Sequence, residues 1–387
     1  MILLDTHDLT DPAFWAADNP HELVDEMRGQ GAVQRHESAA EGPLWAVLTH
    51  REALEVLGDP ETFSSRGGSL LGTGQTPPAG SGRMMALTDP PRHRTYREPV
   101  APFFTTRYAS GLQARLRELT EQVVRRALEH EEIDFVREIG AKVPLTIMCD
   151  LMDIPDQDRD AVVDMCDRAF LGVTPAERRA AHQALLPYLL QLALHRRDTP
   201  GEDLISAFAA TLDLDEVVLN ADNIIVGGIQ TVRHTAAMAT LTLVQRPAAW
   251  HALGGCADLT RATDELLRWT SVGLHVLRTA TKDVELGGQK VREGDRVVVW
   301  APAANRDATV FDRPHRLDLE RHPNRHIAFG WGTHYCVGGP LARAELRELF
   351  GAMSRLVAEI EPLGAYRHNR SIINFGLDSF PVRLRPR

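Results

Sequence analysis

The sequence predicts a mainly α fold with a minor β part. Three observations carry that reading. From about residue 91 to 250, apolar residues recur three or four apart, as at Leu112, Leu116, Leu119 and Val123. That spacing lines one face of a helix. At 276–300 the pattern changes to short runs split by glycine, Val284-Glu285-Leu286-Gly287-Gly288 and then Arg296-Val297-Val298-Val299-Trp300, which read as strands. After Cys336, Pro340 opens a stretch with Leu346, Leu349, Phe350, Met353 and Val357 on one face, so a last amphipathic helix is expected from about 339 to 360.

The elements follow in order. Residues 1–60 mix short helical and strand patterns. At 62–88, Gly67, Gly68, Gly72, Gly74, Gly80, Gly82, Pro77 and Pro78 break any periodicity, which predicts a long loop of the kind that is functional, tolerated or disordered. Asp89-Pro90-Pro91 reads as a turn opening a helix. His93 and Arg97 then share a face at i and i+4, and Pro99 should kink or shorten that helix. The tail, Pro381-Val382-Arg383-Leu384, reads as a closing strand. There is no repeat and no low-complexity linker.

Composition bounds the function. The chain has 387 residues, enough for two or three domains at roughly 150 residues each. It carries 43 Lys plus Arg against 53 Asp plus Glu, a net charge of −10, with 43% hydrophobic residues. Such a composition excludes disorder, collagen and a disulfide scaffold, and its acidity argues against non-specific nucleic-acid binding. Cys149, Cys166, Cys256 and Cys336 form no Cys-x-x-Cys site, so a reducing, intracellular setting is expected. The start, Met1-Ile2-Leu3-Leu4-Asp5, lacks a signal-peptide pattern. No uncharged apolar run approaches the ~20 residues of a membrane-spanning helix.

The chemistry concentrates in Phe329-Gly330-Trp331-Gly332-Thr333-His334-Tyr335-Cys336-Val337-Gly338-Gly339. Glycines there permit backbone shapes and close approach that other residues do not. The helix expected to follow puts Cys336 at a helix N-terminus, where free N–H groups favour a thiolate. A thiolate flanked by glycine suits a flat ligand lying against the backbone. In the segment 223–232, Gly227 and Gly228 lie within a long helical run, at a cost of ~1 kcal/mol each. Thr231 can bond back to the carbonyl four residues earlier and bend that helix. Glu265 and Arg268 sit at i and i+3 and can pair.

The pattern Phe-Gly-x-Gly-x-His-x-Cys-x-Gly resembles the haem-binding loop of cytochrome P450 enzymes. The resemblance spans about 60 to 387 and is to the soluble bacterial class. It implies a triangular-prism fold, and because all the motifs converge on one cofactor, a single domain over 1–387. By resemblance, Cys336 is the axial ligand of haem b, a thiolate that pushes electron density onto iron and favours O–O cleavage. His93, Arg97, Arg278 and His334 would hold the propionates, and Phe329, Gly330 and Gly338 would shape the loop. Glu265, Arg268 and Arg321 would form a structural network behind it. Gly227, Gly228 and Thr231 would form the oxygen-binding kink with its proton-delivering hydroxyl. Gln230 departs from the family, which has Asp or Glu there. An amide orients water but cannot relay a proton by titrating.

The resemblance further implies monooxygenation of a small organic substrate by hydroxylation or epoxidation, in secondary metabolism such as antibiotic biosynthesis. Electrons would come from a separate ferredoxin and ferredoxin reductase, in the cytoplasm, with no membrane anchor. Arg92, Arg94 and Arg325 on the Cys336 side would meet an acidic partner or simply be solvated. Asn223, Val226, Gly227, Leu274, Val276, Ile373 and Asn374 should line the pocket, with the 62–88 loop as lid. The substrate would be free or tethered to a carrier protein. The alternative keeps the haem and changes the reaction to coupling, desaturation, ring formation or peroxide-driven oxidation, which Gln230 would suit. A non-catalytic haem sensor is disfavoured by the retained Thr231.

Overall fold

A long central helix organises the molecule. In the computed structural model, which describes residues 7–17, 19–72, 78, 80–171, 174–256 and 258–387, this is α11, Leu214–Val244, buried along most of its length. At 1.5 Å per residue it runs about 46 Å. Met1–Asp5 and the loop positions Gly74 and Pro77 lie outside the described residues.

Before α11 come α1 (Pro12–Trp15), α2 (Pro20–Gln30), α3 (His50–Gly58), α4 (Arg92–Arg97), α5 (Thr106–Gly111), α6 (Gln113–Leu128), α7 (Lys142–Leu151), α8 (Arg159–Leu171), α9 (Pro175–Asp198) and α10 (Leu204–Ala209). After it come α12 (Pro247–Gly255), α13 (Leu259–Thr270), α14 (Ala301–Ala304) and α15 (Gly339–Leu356). One helical core joins Ile225, Val226 and Ile229 of α11 to Leu116 of α6, Ile147 of α7, Leu185 of α9 and Leu341 of α15. A second joins Val232 and Ala236 to Leu266 of α13 and Leu349 of α15.

The β part is small and lies to the side. Strands β1 (Val33–Ser38), β2 (Gly42–Val47), β3 (Phe63–Ser64), β5 (His275–Ala280) and β8 (Arg296–Trp300) form one sheet in the order β1-β2-β8-β5-β3. Pairing is antiparallel except between β2 and β8. The Val284 and Arg296 runs are the expected strands, with Val284–Leu286 (β6) pairing Gln289–Val291 (β7) around a turn at Gly287 and Gly288.

Two boundaries differ from expectation. The last helix ends at Leu356 rather than near 360, because Val357–Pro362 is strand β9, which pairs with the closing strand β12, Pro381–Pro386. Ile133–Asp134 (β4) pairs on the other side of β12, and Arg367–His368 (β10) pairs with Leu377–Ser379 (β11). The expected 62–88 loop is interrupted by β3 and by a short 3-10 turn, Met85–Leu87. Pro99 acts as expected, since α4 stops at Arg97.

Candidate functional site

The Cys336 loop is shaped by backbone that only glycine adopts comfortably. Gly330 and Gly332 have φ of +70° and +68°, the left-handed region. A Cβ on Gly332 would also sit 2.5 Å from the Leu57 carbonyl oxygen. The loop folds back on itself as the Cys336 N–H donates to the Phe329 carbonyl at 2.9 Å. Gly338 leaves room near sulfur, since a Cβ there would lie 4.0 Å from Cys336 Sγ. α15 begins at Gly339 with Pro340 in its first turn. The backbone N–H groups of Gly338 and Gly339, as expected for a helix start, and the charges of Arg97 and Arg343 favour the Cys336 thiolate. The residue keeps exposed surface, yet protein atoms crowding the sulfur outweigh these groups and raise the thiol above its ordinary value, so the thiolate bias expected from the helix start is a counterweight and not the net effect. Low-dielectric surroundings penalise the charged form more than two N–H dipoles compensate.

Beside this loop the fold gathers two arginines and two histidines from three elements: His93 and Arg97 from α4, Arg278 from β5, and His334 from the loop. The His93 and His334 ring centroids are 4.5 Å apart. Burial, then Arg97 and Arg278, push His93 down to about 4. Burial, then Arg278, His93 and Arg97, push His334 down to about 3. Arg278 is 3% exposed, donates to the Leu277 carbonyl and is pushed by burial to about 10, the charge of Asp89 acting against that shift. Arg97 reaches the Thr333 carbonyl. Among the described residues none of the four is in an ion pair, and the Nε2 atoms of His93 and His334 are buried without a partner.

Buried polar and charged groups are ordinarily paired. Arg97 and Arg278 stand in no ion pair among the described residues, Asp89 acting on Arg278 only at a distance, and two neutral imidazoles beside them leave ring nitrogens unpartnered; the set therefore fits a ligand that brings its own carboxylates. Haem carries two carboxylates and an iron that accepts a thiolate, so it fits this donor set.

On α11, the Thr231 hydroxyl donates to the Gly227 carbonyl at 2.7 Å, the bond expected from its spacing, and Thr235 repeats the pattern onto the Thr231 carbonyl. The two glycines differ. A Cβ on Gly227 would meet nothing within 4 Å, whereas one on Gly228 would lie 2.7 Å from Met148 Sδ. Gly227 therefore faces open space, and Gly228 permits close packing of α7. Gln230 is fully buried.

The pocket set divides. Asn223, Gly227 and Val276 are partly accessible. Val226 is buried in the helical core. Leu274 is 1% exposed and packs in the core among Leu277, Val298, Trp300 and Phe375. Ile373 and Asn374 are buried next to the isolated bridge between Gly273 and Asn374.

The buried network is present and larger than its sequence signal. Glu265 accepts from Arg268 Nε and Nη2, both at 2.8 Å, from Arg321 Nε at 3.0 Å, from the Asp318 N–H at 2.9 Å and from Asn324 Nδ2 at 3.1 Å. Ser271 takes a left-handed conformation after α13 and donates to the Arg268 carbonyl. It accepts from Asn305 Nδ2, and Asn305 Oδ1 accepts the Ile327 N–H. A hydrogen-bond chain thus runs from α13 to the Cys336 loop.

A second brace escaped sequence reasoning. Asp264 accepts from Arg343 Nε at 2.7 Å and His326 Nε2 at 3.3 Å; Arg343 also donates to Tyr335 Oη and lies 4.5 Å above the Phe329 ring. The five residues span 264 to 343, so no local spacing marks them. Of the three arginines expected on the Cys336 side, Arg92 bonds Glu216 at 2.6 Å and Tyr96 Oη at 2.8 Å while 61% of its side chain stays exposed. Arg94 approaches Glu98, and Arg325 is exposed.

A cytochrome P450 sequence profile matches residues 259–355. Over 98% of this chain and 97% of the relative, it is 35% identical to cytochrome P450 NovI of Streptomyces niveus. It is 30% identical to linalool 8-monooxygenase of Pseudomonas putida over 98% of this chain and 99% of that one. Among solved structures it resembles P450 OxyD, involved in the biosynthesis of vancomycin-type antibiotics, with a TM-score of 0.90 and 33% identity, covering 98% of this chain and all of the other. Among the described residues no helix is long and apolar enough to cross a membrane.

Proposed function

The chain belongs to the cytochrome P450 family of haem-iron oxidoreductases, and from that premise we propose that it inserts one atom of O₂ into a small organic substrate by hydroxylation or epoxidation in secondary metabolism. The cluster beside Cys336, with Arg97 and Arg278 in no ion pair and the imidazoles of His93 and His334 unpartnered at Nε2 among the described residues, is the observation that carries this reading. Haem b would be held by Cys336 at the iron and by His93, Arg97, Arg278 and His334 at the carboxylates, with Phe329, Gly330 and Gly338 shaping the loop. When bound, it supplies O₂ binding and activation at a thiolate-ligated iron.

The protein's own groups do the rest. Gly227 leaves the groove on α11 open, and Gly228 lets α7 pack behind it. The Thr231 hydroxyl, anchored on the Gly227 carbonyl, is a positioned carrier of protons into that groove. Gln230 orients water but does not titrate. The other oxygen atom leaves as water, so two electrons and two protons are consumed per turnover. A ferredoxin and its reductase in the cytoplasm supply the electrons. Asn223 and Asn374, with Val276, Ile373 and Gly227, face the substrate, and their amides suit one with hydrogen-bonding groups. The whole of 1–387 acts as one domain around this site.

The experiment is the absorption spectrum of the reduced, carbon-monoxide-bound protein, for wild type and Cys336→Ser. A red-shifted Soret band in wild type, lost in the variant, supports the reading; its absence from wild type overturns it. A spin-state screen of compounds then narrows the substrate class.

Gln230 favours a second reading, an atypical oxidation such as coupling, desaturation, ring formation or peroxide-driven chemistry. Peroxide-supported turnover without a redox partner identifies the peroxide version, and product analysis separates the others.

A further inference from the structure

We propose that Asn220 is a positioning residue that fixes residues 81–88 against α11 and so builds a wall of the substrate pocket; this rests on the haem-pocket reading above. Glu216, Asn220, Asn223, Gly227 and Thr231 are spaced four, three, four and four apart and therefore line one face of α11. The lower part of that stripe belongs to the site. The upper part grips the segment that leads into His93.

Asn220 is fully buried and spends its amide on that grip. Its Oδ1 accepts the Met85 N–H at 2.7 Å, and its Nδ2 donates to the Arg83 carbonyl at 3.0 Å and the Glu216 carbonyl at 2.8 Å. Arg83 also pairs with Asp215 at 2.9 Å, and Glu216 accepts from Tyr96 Oη at 2.7 Å. At the other end, Asp89 accepts the Ser65 N–H and the Ser65 hydroxyl, both at 2.8 Å, and the Ser64 hydroxyl. The segment is thus tied to α11 at one end and to β3 at the other.

The ties are unequal. The Arg83–Asp215 pair has side chains 44% and 74% exposed, and exposed pairs hold little. The Asn220 bonds are buried, and losing them leaves the Met85 N–H unsatisfied in the interior. Met85 packs in the same core as Val226 and Ile229. Its placement therefore decides what a ligand larger than one ring meets as it extends along α11 from Gly227 toward Asn223.

The test uses the haem-loaded full chain and two azole probes, imidazole and 4-phenylimidazole, titrated by the shift of the Soret band. In Asn220→Ala, imidazole affinity stays within about twofold of wild type, while 4-phenylimidazole weakens about fivefold. The Met85 amide, followed by hydrogen exchange, loses protection in the same variant. Arg83→Ala, which removes only the exposed pair, leaves both probes within about twofold. If Asn220→Ala does not load haem, Asn220→Ser takes its place, too short to reach Met85. Equal weakening of both probes, or an unchanged probe ratio with Met85 still protected, overturns the proposal. A wild-type protein without a red-shifted Soret band instead overturns the haem reading, and the exchange measurement still reports on the clasp.

Discussion

Replacing Glu265 by alanine strands two buried arginines. Glu265 and Arg268 have no exposed side-chain surface, and Arg321 has 8%. Wild type satisfies the carboxylate with five donors. Hydrogen bonds to charged groups are worth about 1.5–3 kcal/mol each, but bonds sharing one acceptor do not add. The better guide is the cost of removing one partner of a buried ion pair, about 3–5 kcal/mol. Against a total stability of about 5–15 kcal/mol, that is about a fifth or more. Glu265→Ala should therefore lower the urea midpoint sharply and reduce haem retention, since Asn305 connects the same network to the Cys336 loop. Urea unfolding followed by tryptophan fluorescence, with haem content from absorbance, measures both; Arg268 lies 5.9 Å from the Trp269 ring. An unchanged midpoint with full haem content would refute the reasoning.

The two α11 glycines should respond in opposite directions. Gly227→Ala stabilises the helix by about 0.5–1 kcal/mol, because its Cβ enters open space, yet it weakens azole binding; equal affinities would show that Gly227 does not face the ligand. Gly228→Ala destabilises by about 1–3 kcal/mol through the Met148 contact, read by thermal unfolding. Gln230→Glu restores a titrating group beside Thr231 and should raise the coupling of reductant to product; no rise in coupling or rate counts against a protonation deficit. His234 is fully buried on α11, with Arg233 as its charged neighbour, and burial, then that charge, push it down to about 3. The unfolded state protonates this histidine near its ordinary value of about 6.5, so stability should fall as pH drops from about 6.5 toward about 3. The slope is up to about 1.4 kcal/mol per pH unit. His234→Asn should flatten urea midpoints between about pH 6 and about pH 4; an unchanged slope would show that His234 does not drive the loss.

Legibility followed the range of the interactions. The Thr231 bond to Gly227, the Glu265–Arg268 pair and the turn at Gly287-Gly288 all close within four residues, and spacing revealed each. The glycines of the Cys336 loop were visible because their conformations are written into residue type. The Asp264–Arg343 brace and the Asn220 clasp close across 79 and 135 residues. No local spacing marks Asp264 or Asn220. Leu274 was placed on the pocket by resemblance, and its burial among Leu277, Val298, Trp300 and Phe375 depends on how the chain packs before β5. Arg92 looked free because its partner, Glu216, stands on α11, 124 residues away.

By itself, the sequence determined the mainly helical fold class, the cysteine loop and the residue types for haem, because glycine conformation, helix periodicity and local back-bonding are properties of neighbouring residues. Tertiary structure alone decided that two arginines and two histidines from separate elements meet outside any ion pair among the described residues, that desolvation outweighs the helix start at Cys336, and that Asn220 holds Met85. Those outcomes depend on which groups are taken out of water together, and desolvation is a property of the packed assembly rather than of any stretch of chain.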